Sequence, residues 1–155
     1  MANDLGESVR AKPLDATEVA NRLRPVLMRL ARELRREVHP LGVTGGQVAL
    51  LFQIRRAKDA SAGDLAASEG ISPAAMSGYV DRLEKAGLVV RVPDERDRRR
   101  QVLQVTEEAE SVLRKVRSRR TAWLASRLQK LSADELQAVD RAIEPLLGLV
   151  ERGEA

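Results

Sequence analysis

Three features of the 155-residue chain predict a mainly α-helical fold interrupted by one two-stranded β-ribbon. Apolar residues recur at steps of three and four towards both ends. Serine and threonine caps mark helix starts in between. Only between Leu88 and Val105 does the apolar period shorten to two.

Residues 1–14 are polar, lack periodicity and read as a flexible arm. Val19, Leu23, Leu27, Leu30, Leu34 and Val38 then form one stripe of a long helix, which Pro25 should bend. His39-Pro40-Leu41-Gly42 ends it. Thr44 with Gln47 makes a capping box, and the helix it opens turns Val48, Leu51 and Phe52 inward. Ser61 with Asp64 is a looser box opening a short helix that stops at Gly70. Ser72 before Pro73 is an N-cap with proline at the first helical position; this helix runs to about Lys85 and stops at Gly87. Leu88, Val90 and Val92 alternate with Val89 and Arg91, and Leu103 and Val105 with Val102 and Gln104, which makes a hairpin with a charged tip. Thr106 caps the next helix, with Glu107 and Glu108 at its positive end and Ala109, Val112, Val116, Trp123 and Leu124 on its buried face. Ser132 with Glu135 opens the last helix, striped by Leu136, Val139, Ile143, Leu146, Leu147 and Val150.

Composition removes several classes of function. With no cysteine, disulfides, thiolate metal sites and cysteine nucleophiles are excluded. One histidine, His39, leaves metal and acid/base chemistry short of ligands; it reads as closing a helix end, with a pocket role open. Neither a cofactor nor a metal is expected, and no nucleophile constellation suggests an enzyme. Glu107 and Glu108 point about 100° apart on a helix and suit a helix start, not a catalytic pair. Gly45-Gly46 lacks the lysine and length of a phosphate loop. The opening residues carry no basic segment followed by an apolar run, and no run nears the ~20 residues that span a bilayer, so a cytoplasmic protein without membrane contact is expected. A net charge of +4 leans towards a polyanionic partner.

The charges and small residues sit in an informative order. Ala66, Gly70 and Met76 keep the spacing of a helix-turn-helix: a small residue for close approach, a glycine for the turn, an apolar plug for the angle. An ordinary helical hairpin satisfies the same pattern. However, Ser72, Ala74, Ala75, Ser77 and Gly78 put small and hydroxylic side chains where a buried helix shows bulk, which would let it enter the ~12 Å major groove. The tip Pro93-Asp94-Glu95-Arg96-Asp97-Arg98-Arg99-Arg100 concentrates arginine on a projecting loop, the side chain best suited to a narrow, A·T-rich minor groove. Its acids are expected to hold the guanidinium groups in place. Arg114, Lys115, Arg117, Arg119 and Arg120 read instead as a solvated helix face, and Trp123 and Phe52 as core.

Gly63-Asp64-Leu65-Ala66-Ala67, the run Val80-Asp81-Arg82-Leu83-Glu84-Lys85-Ala86-Gly87-Leu88-Val89, and Asp97-Arg98-Arg99 followed by Leu103-Gln104-Val105-Thr106 resemble the MarR family of bacterial transcriptional regulators. The likeness runs from about Glu18 to Val150. It implies a winged helix-turn-helix with a two-stranded β wing and long N- and C-terminal dimerisation helices. The organisation would be a dimerisation helix over 15–43, a DNA-binding lobe over 44–105 and dimerisation helices over 106–152. The resemblance implies a homodimer on a pseudo-palindromic operator, as a repressor, with Leu23, Leu27, Trp123, Ile143, Leu146, Leu147 and Val150 at the interface. By the same matching, Arg99 takes the place of the minor-groove arginine and Asp97 that of its salt-bridge partner. Ser72, Ala74, Ala75, Ser77 and Gly78 face the major groove, and Arg82, Arg96, Arg98 and Arg100 complete the DNA contacts. Ser77-Gly78 stand where many members carry threonine and arginine, which shifts weight from direct base readout to DNA shape. Members often bind small phenolic or aromatic-acid effectors; the spacing here shows no pocket for one.

Two other classes remain open at this point. A single-stranded DNA or RNA binder stacks bases on aromatic rings, and the basic segments offer only Tyr79. A helical partner-binding scaffold leaves the arginine tip without a use.

Overall fold

A computed structural model describes residues 14–151, so the expected arm lies, but for its last residue, outside them. The elements are α1 (Ala16–Arg36), a 3-10 turn (His39–Leu41), α2 (Gly45–Arg56), α3 (Ala62–Glu69), α4 (Pro73–Lys85), β1 (Val89–Pro93), β2 (Gln101–Val105), α5 (Glu107–Leu128) and α6 (Ala133–Glu151). This is the mainly α fold with one antiparallel ribbon that the periodicities predict.

The chain divides into two compact units between Glu33 and Leu34. The first is the body of α1. None of its described residues is buried, and Val19, Val26, Leu27, Met28 and Leu30 are exposed. The predicted stripe overshoots the helix, which stops at Arg36. Val38 lies beyond, at the start of the 3-10 turn, and is fully buried in the core of the second unit. Pro40 has no N–H to continue the ladder, and Gly42 takes the left-handed φ of 74° that closes the turn.

In the second unit α2 to α5 and the ribbon share one core, centred on Leu51, Met76, Val80, Leu83, Val89, Leu113 and Val116. The caps form as predicted. Thr44 Oγ1 accepts from the Gln47 amide at 3.2 Å, and Gln47 Oε1 accepts from the Thr44 amide at 2.8 Å. The looser box proves complete: the Ser61 amide donates to Asp64 Oδ2 at 2.6 Å while the Asp64 amide donates to Ser61 Oγ at 3.2 Å. Ser132 and Glu135 form the same reciprocal pair before α6, at 3.3 and 2.8 Å. Thr106 Oγ1 caps α5 through the Ala109 amide and donates to the Gly87 carbonyl at 2.7 Å, tying the end of the ribbon to the end of α4.

The two strands pair as a hairpin, but the expected alternation is only partly kept in their burial. Val89 is buried and Val90 is exposed, whereas Val102 and Leu103 are both buried on opposite faces of β2. The Leu103 amide donates to the Ala60 carbonyl at 2.9 Å, so at this point β2 is bonded on both edges.

The buried face of α5 is shorter than predicted. Ala109, Val112, Leu113 and Val116 are buried, but Trp123 is half-buried and Leu124 is exposed. Nothing in α6 is buried either: Leu136, Val139, Ile143, Leu147 and Val150 are exposed and Leu146 half-buried. Helical periodicity shows which residues share a face, not which surface covers them.

Candidate nucleic-acid interface

The turn between α3 and α4 is built by backbone chemistry. Gly70 adopts a φ of 64°, and the Ile71 amide reaches back to the Ala66 carbonyl at 3.1 Å, closing α3 in a left-handed cap. Ala66 and Met76, both 1% exposed, pack into the angle between the helices. Ser72 Oγ then accepts from the Ala75 amide at 3.2 Å, and Pro73 supplies no N–H in the first turn. Ser72, Pro73, Ala74 and Ala75 are exposed, Ser77 and Gly78 half-buried, and Tyr79 and Arg82 exposed. The Arg82 guanidinium stands over the Tyr79 ring, 4.9 Å from its centroid.

A Cβ on Gly78 meets nothing within 4 Å. Gly78→Ala is therefore expected to raise stability by about 1 kcal/mol through helix propensity alone. If this turn sits deep in a groove, the same change lowers duplex affinity. Thermal melting and a binding isotherm on one variant check both.

Asp94 and Asp97 hold chiefly the tip backbone; of the guanidinium groups the acids are expected to hold, that of Arg100 lies 3.8 Å from Asp94, an ion-pair distance. Asp94 is the buried charged residue among those described. Its carboxylate accepts from the Arg96 amide at 2.7 Å and from the Asp97 amide at 3.4 Å. The Arg96 N–H foremost holds that carboxyl below the usual carboxylate range. Asp97 Oδ1 accepts from the Arg99 amide at 3.0 Å, so the two residues meet through backbone, not through the side-chain ion pair that the resemblance implies. Arg96, Arg98 and Arg99 are exposed and, among the described residues, take no carboxylate partner.

Arg100 differs from these three. It pairs with Asp64 on α3, lies 3.8 Å from Asp94, and donates to the Asp59 carbonyl at 3.3 Å. Sequence reasoning also missed Arg91, which bridges from β1 to Asp81 at 2.7 Å and to Glu84, both on α4. The wing is thus braced on both helices of the helix-turn-helix.

The basic face of α5 divides as well. Arg114, Lys115 and Arg117 are exposed, as expected. Arg119 Nε instead donates to the Glu37 carbonyl at 2.9 Å and Arg120 Nε to the Leu34 carbonyl at 3.1 Å. These carbonyls lie in the last turn of α1 and just beyond it, where cationic donors are favourable. Burial, then the nearby Arg35 charge, pulls the Arg120 pKa below its ordinary value. Trp123 carries the Arg127 guanidinium 3.8 Å above its ring.

Two cavities flank the site. One of about 580 Å³ opens between α2 and α4, with Leu50, Ile71, Met76, Tyr79 and Arg82 in its lining. The other, about 790 Å³ and polar, lies between α3 and the wing beside Asp64, Asp94 and Arg100. No helix among the described residues is long and apolar enough to cross a membrane.

A capped two-helix turn with an exposed small-residue start to its second helix, followed directly by an arginine-tipped ribbon, defines a winged helix-turn-helix. The sequence model of the MarR family matches residues 41–100. The HTH-type transcriptional regulator YhbI of Bacillus subtilis is 30% identical over 114 residues, 74% of either chain. The HTH-type transcriptional regulator Mb0904 of Mycobacterium bovis is 29% identical over 133 residues, covering 86% of this chain and 93% of that one. Among solved structures, the transcriptional regulator Tm0710 from Thermotoga maritima matches with a TM-score of 0.74 and 27% identity over 88% of this chain and 96% of that one. The chain belongs to the MarR family and is a DNA-binding transcription regulator, not an enzyme.

Proposed function

We propose that the protein works as a homodimer that clamps a pseudo-palindromic duplex operator and represses transcription from it. The observation that carries this reading is the contrast on the wing. Asp94 and Asp97 fix the tip backbone, while Arg96, Arg98 and Arg99 keep their side chains exposed, as do Ser72, Ala74 and Ala75 at the start of α4. Ser72, Ala74, Ala75, Ser77, Gly78 and Arg82 would meet the major groove, and the tip arginines the adjacent minor groove. Most of the affinity would come from phosphate neutralisation and most of the discrimination from these side chains and DNA shape.

The apolar faces of α1 and α6, exposed in the single chain, support pairing through residues 15–43 and 106–152, leaving 44–105 to hold DNA. Twofold pairing sets two α4 helices about one helical turn apart on the duplex. Repression follows from occupancy, since a clamped dimer excludes other proteins from the same base pairs without any further contact. The cleft beneath α4 supports an aromatic-acid effector: Leu50, Ile71 and Met76 suit a ring, and Arg82 suits a carboxylate.

Footprinting with the purified protein on its own promoter regions, followed by run-off transcription, tests the whole reading. Protection of two half-sites and a fall in transcript are expected, with both relieved by an aromatic acid. A rise in transcript would overturn repression, and protection of single strands only would overturn duplex recognition.

A further inference from the structure

We propose that Arg100 is a positioning residue, and that it acts on DNA only by latching the wing to the first helix of the helix-turn-helix. The proposal rests on the duplex-binding reading above and removes Arg100 from the expected DNA contacts. Its guanidinium joins three segments remote in sequence. It pairs with Asp64 on the first turn of α3, donates to the Asp59 carbonyl in the α2–α3 loop at 3.3 Å, and sits 3.8 Å from Asp94 at the root of the tip.

Each of these acceptors is itself fixed. Asp64 is held by the Ser61 amide and hydroxyl in the capping box, and Asp94 by the Arg96 and Asp97 amides. Asp59 holds a φ of 63°, a conformation that aspartate tolerates better than most residues. A planar fork with five donors can serve such a set, whereas a lysine ammonium cannot match its geometry. The Arg100 carbonyl also accepts from the Asp94 amide at 2.9 Å, which closes the base of the tip. Next to it, the Leu103 to Ala60 bond carries the same junction into the strand.

The two braces have different reach. Arg91 ties β1 to α4, while Arg100 ties the base of the tip, just before β2, to α3. With both in place, the distance from the free arginines to the first turn of α4 is set before DNA arrives. Without Arg100 the ribbon keeps its core packing, but the tip loses its tie to α3 and must be ordered at the moment of binding. Exposed ion pairs add little to overall stability, so the effect falls on DNA affinity and tip mobility.

The test uses four variants of the full chain on one footprinted duplex, across a salt series. A phosphate contact and a latch give opposite results. Asp64→Asn removes a negative charge near DNA while keeping an oxygen for the Ser61 amide. The latch predicts that it lowers affinity several-fold, and that adding Arg100→Ala to it costs less than Arg100→Ala costs the wild-type chain. Arg100→Ala and Arg100→Lys should weaken binding equally, with the slope of log K against log salt unchanged. Tighter binding by Asp64→Asn, rescue by lysine, or a slope lower by about one would overturn the proposal. Hydrogen exchange in the free protein decides it independently: the Arg96, Asp97 and Arg99 amides should exchange at least several-fold faster in Arg100→Ala, and unchanged protection contradicts the latch. If the wild-type protein bound no duplex, the function reading would fail while this exchange result still judged the latch.

Discussion

An Ile143→Asp chain is expected to fold normally, to sediment as a single copy and to lose operator affinity by roughly 10²- to 10⁴-fold. Ile143 is 54% exposed in the single chain, so its replacement removes nothing from the core around Leu51 and Met76. What it changes is the α6 face it shares with Leu136, Val139, Leu147 and Val150. Covered by a second copy, that face would bury an unpaired carboxylate, which is among the costliest events an interface can meet. Once the copies separate, each lobe holds one half-site alone, and the gain from binding the second half-site intramolecularly disappears. Sedimentation velocity and a binding isotherm, with circular dichroism to show that the helices persist, check this. A stable dimer of full affinity would contradict the assignment of α6 to the interface.

Arg99→Ala is the second large effect. Arg99 is exposed, its amide is anchored to Asp97, and its guanidinium has no carboxylate partner among the described residues. Truncation therefore leaves the tip in place and removes one cation from the DNA. The expected outcome is a loss of about tenfold in affinity at low salt and a salt slope lower by about one. The loss should be larger on duplexes with A·T-rich minor grooves beneath the wing, where the negative potential is deepest. An unchanged slope would remove Arg99 from the minor groove. Set against Arg100→Ala, whose slope should not move, the pair separates contact from positioning on neighbouring residues.

Local chemistry made much of this fold legible. The caps at Thr44, Ser61, Ser72 and Thr106 and the left-handed glycines at 42, 70 and 87 act within a few residues, so their consequences can be read without knowing what lies opposite. Ala66 and Met76 were legible for the same reason, since the turn between them fixes their meeting. What escaped was everything settled by distant partners. Arg100 finds Asp64 from 36 positions away, Arg119 finds Glu37 from 82, and Arg120 finds Leu34 from 86. From sequence these arginines look alike; only the fold separates braces from free cations. Val38 shows the same limit, because its place on the stripe of α1 is equally compatible with a helix and with the buried turn that follows it.

The central claim is that two copies, joined through the helices at the chain ends, hold one duplex. Sedimentation equilibrium of the full chain with a fluorescent duplex carrying both half-sites measures this directly. Two chains per duplex is the predicted composition, with a duplex of one half-site binding far more weakly. One chain per duplex at undiminished affinity would contradict it.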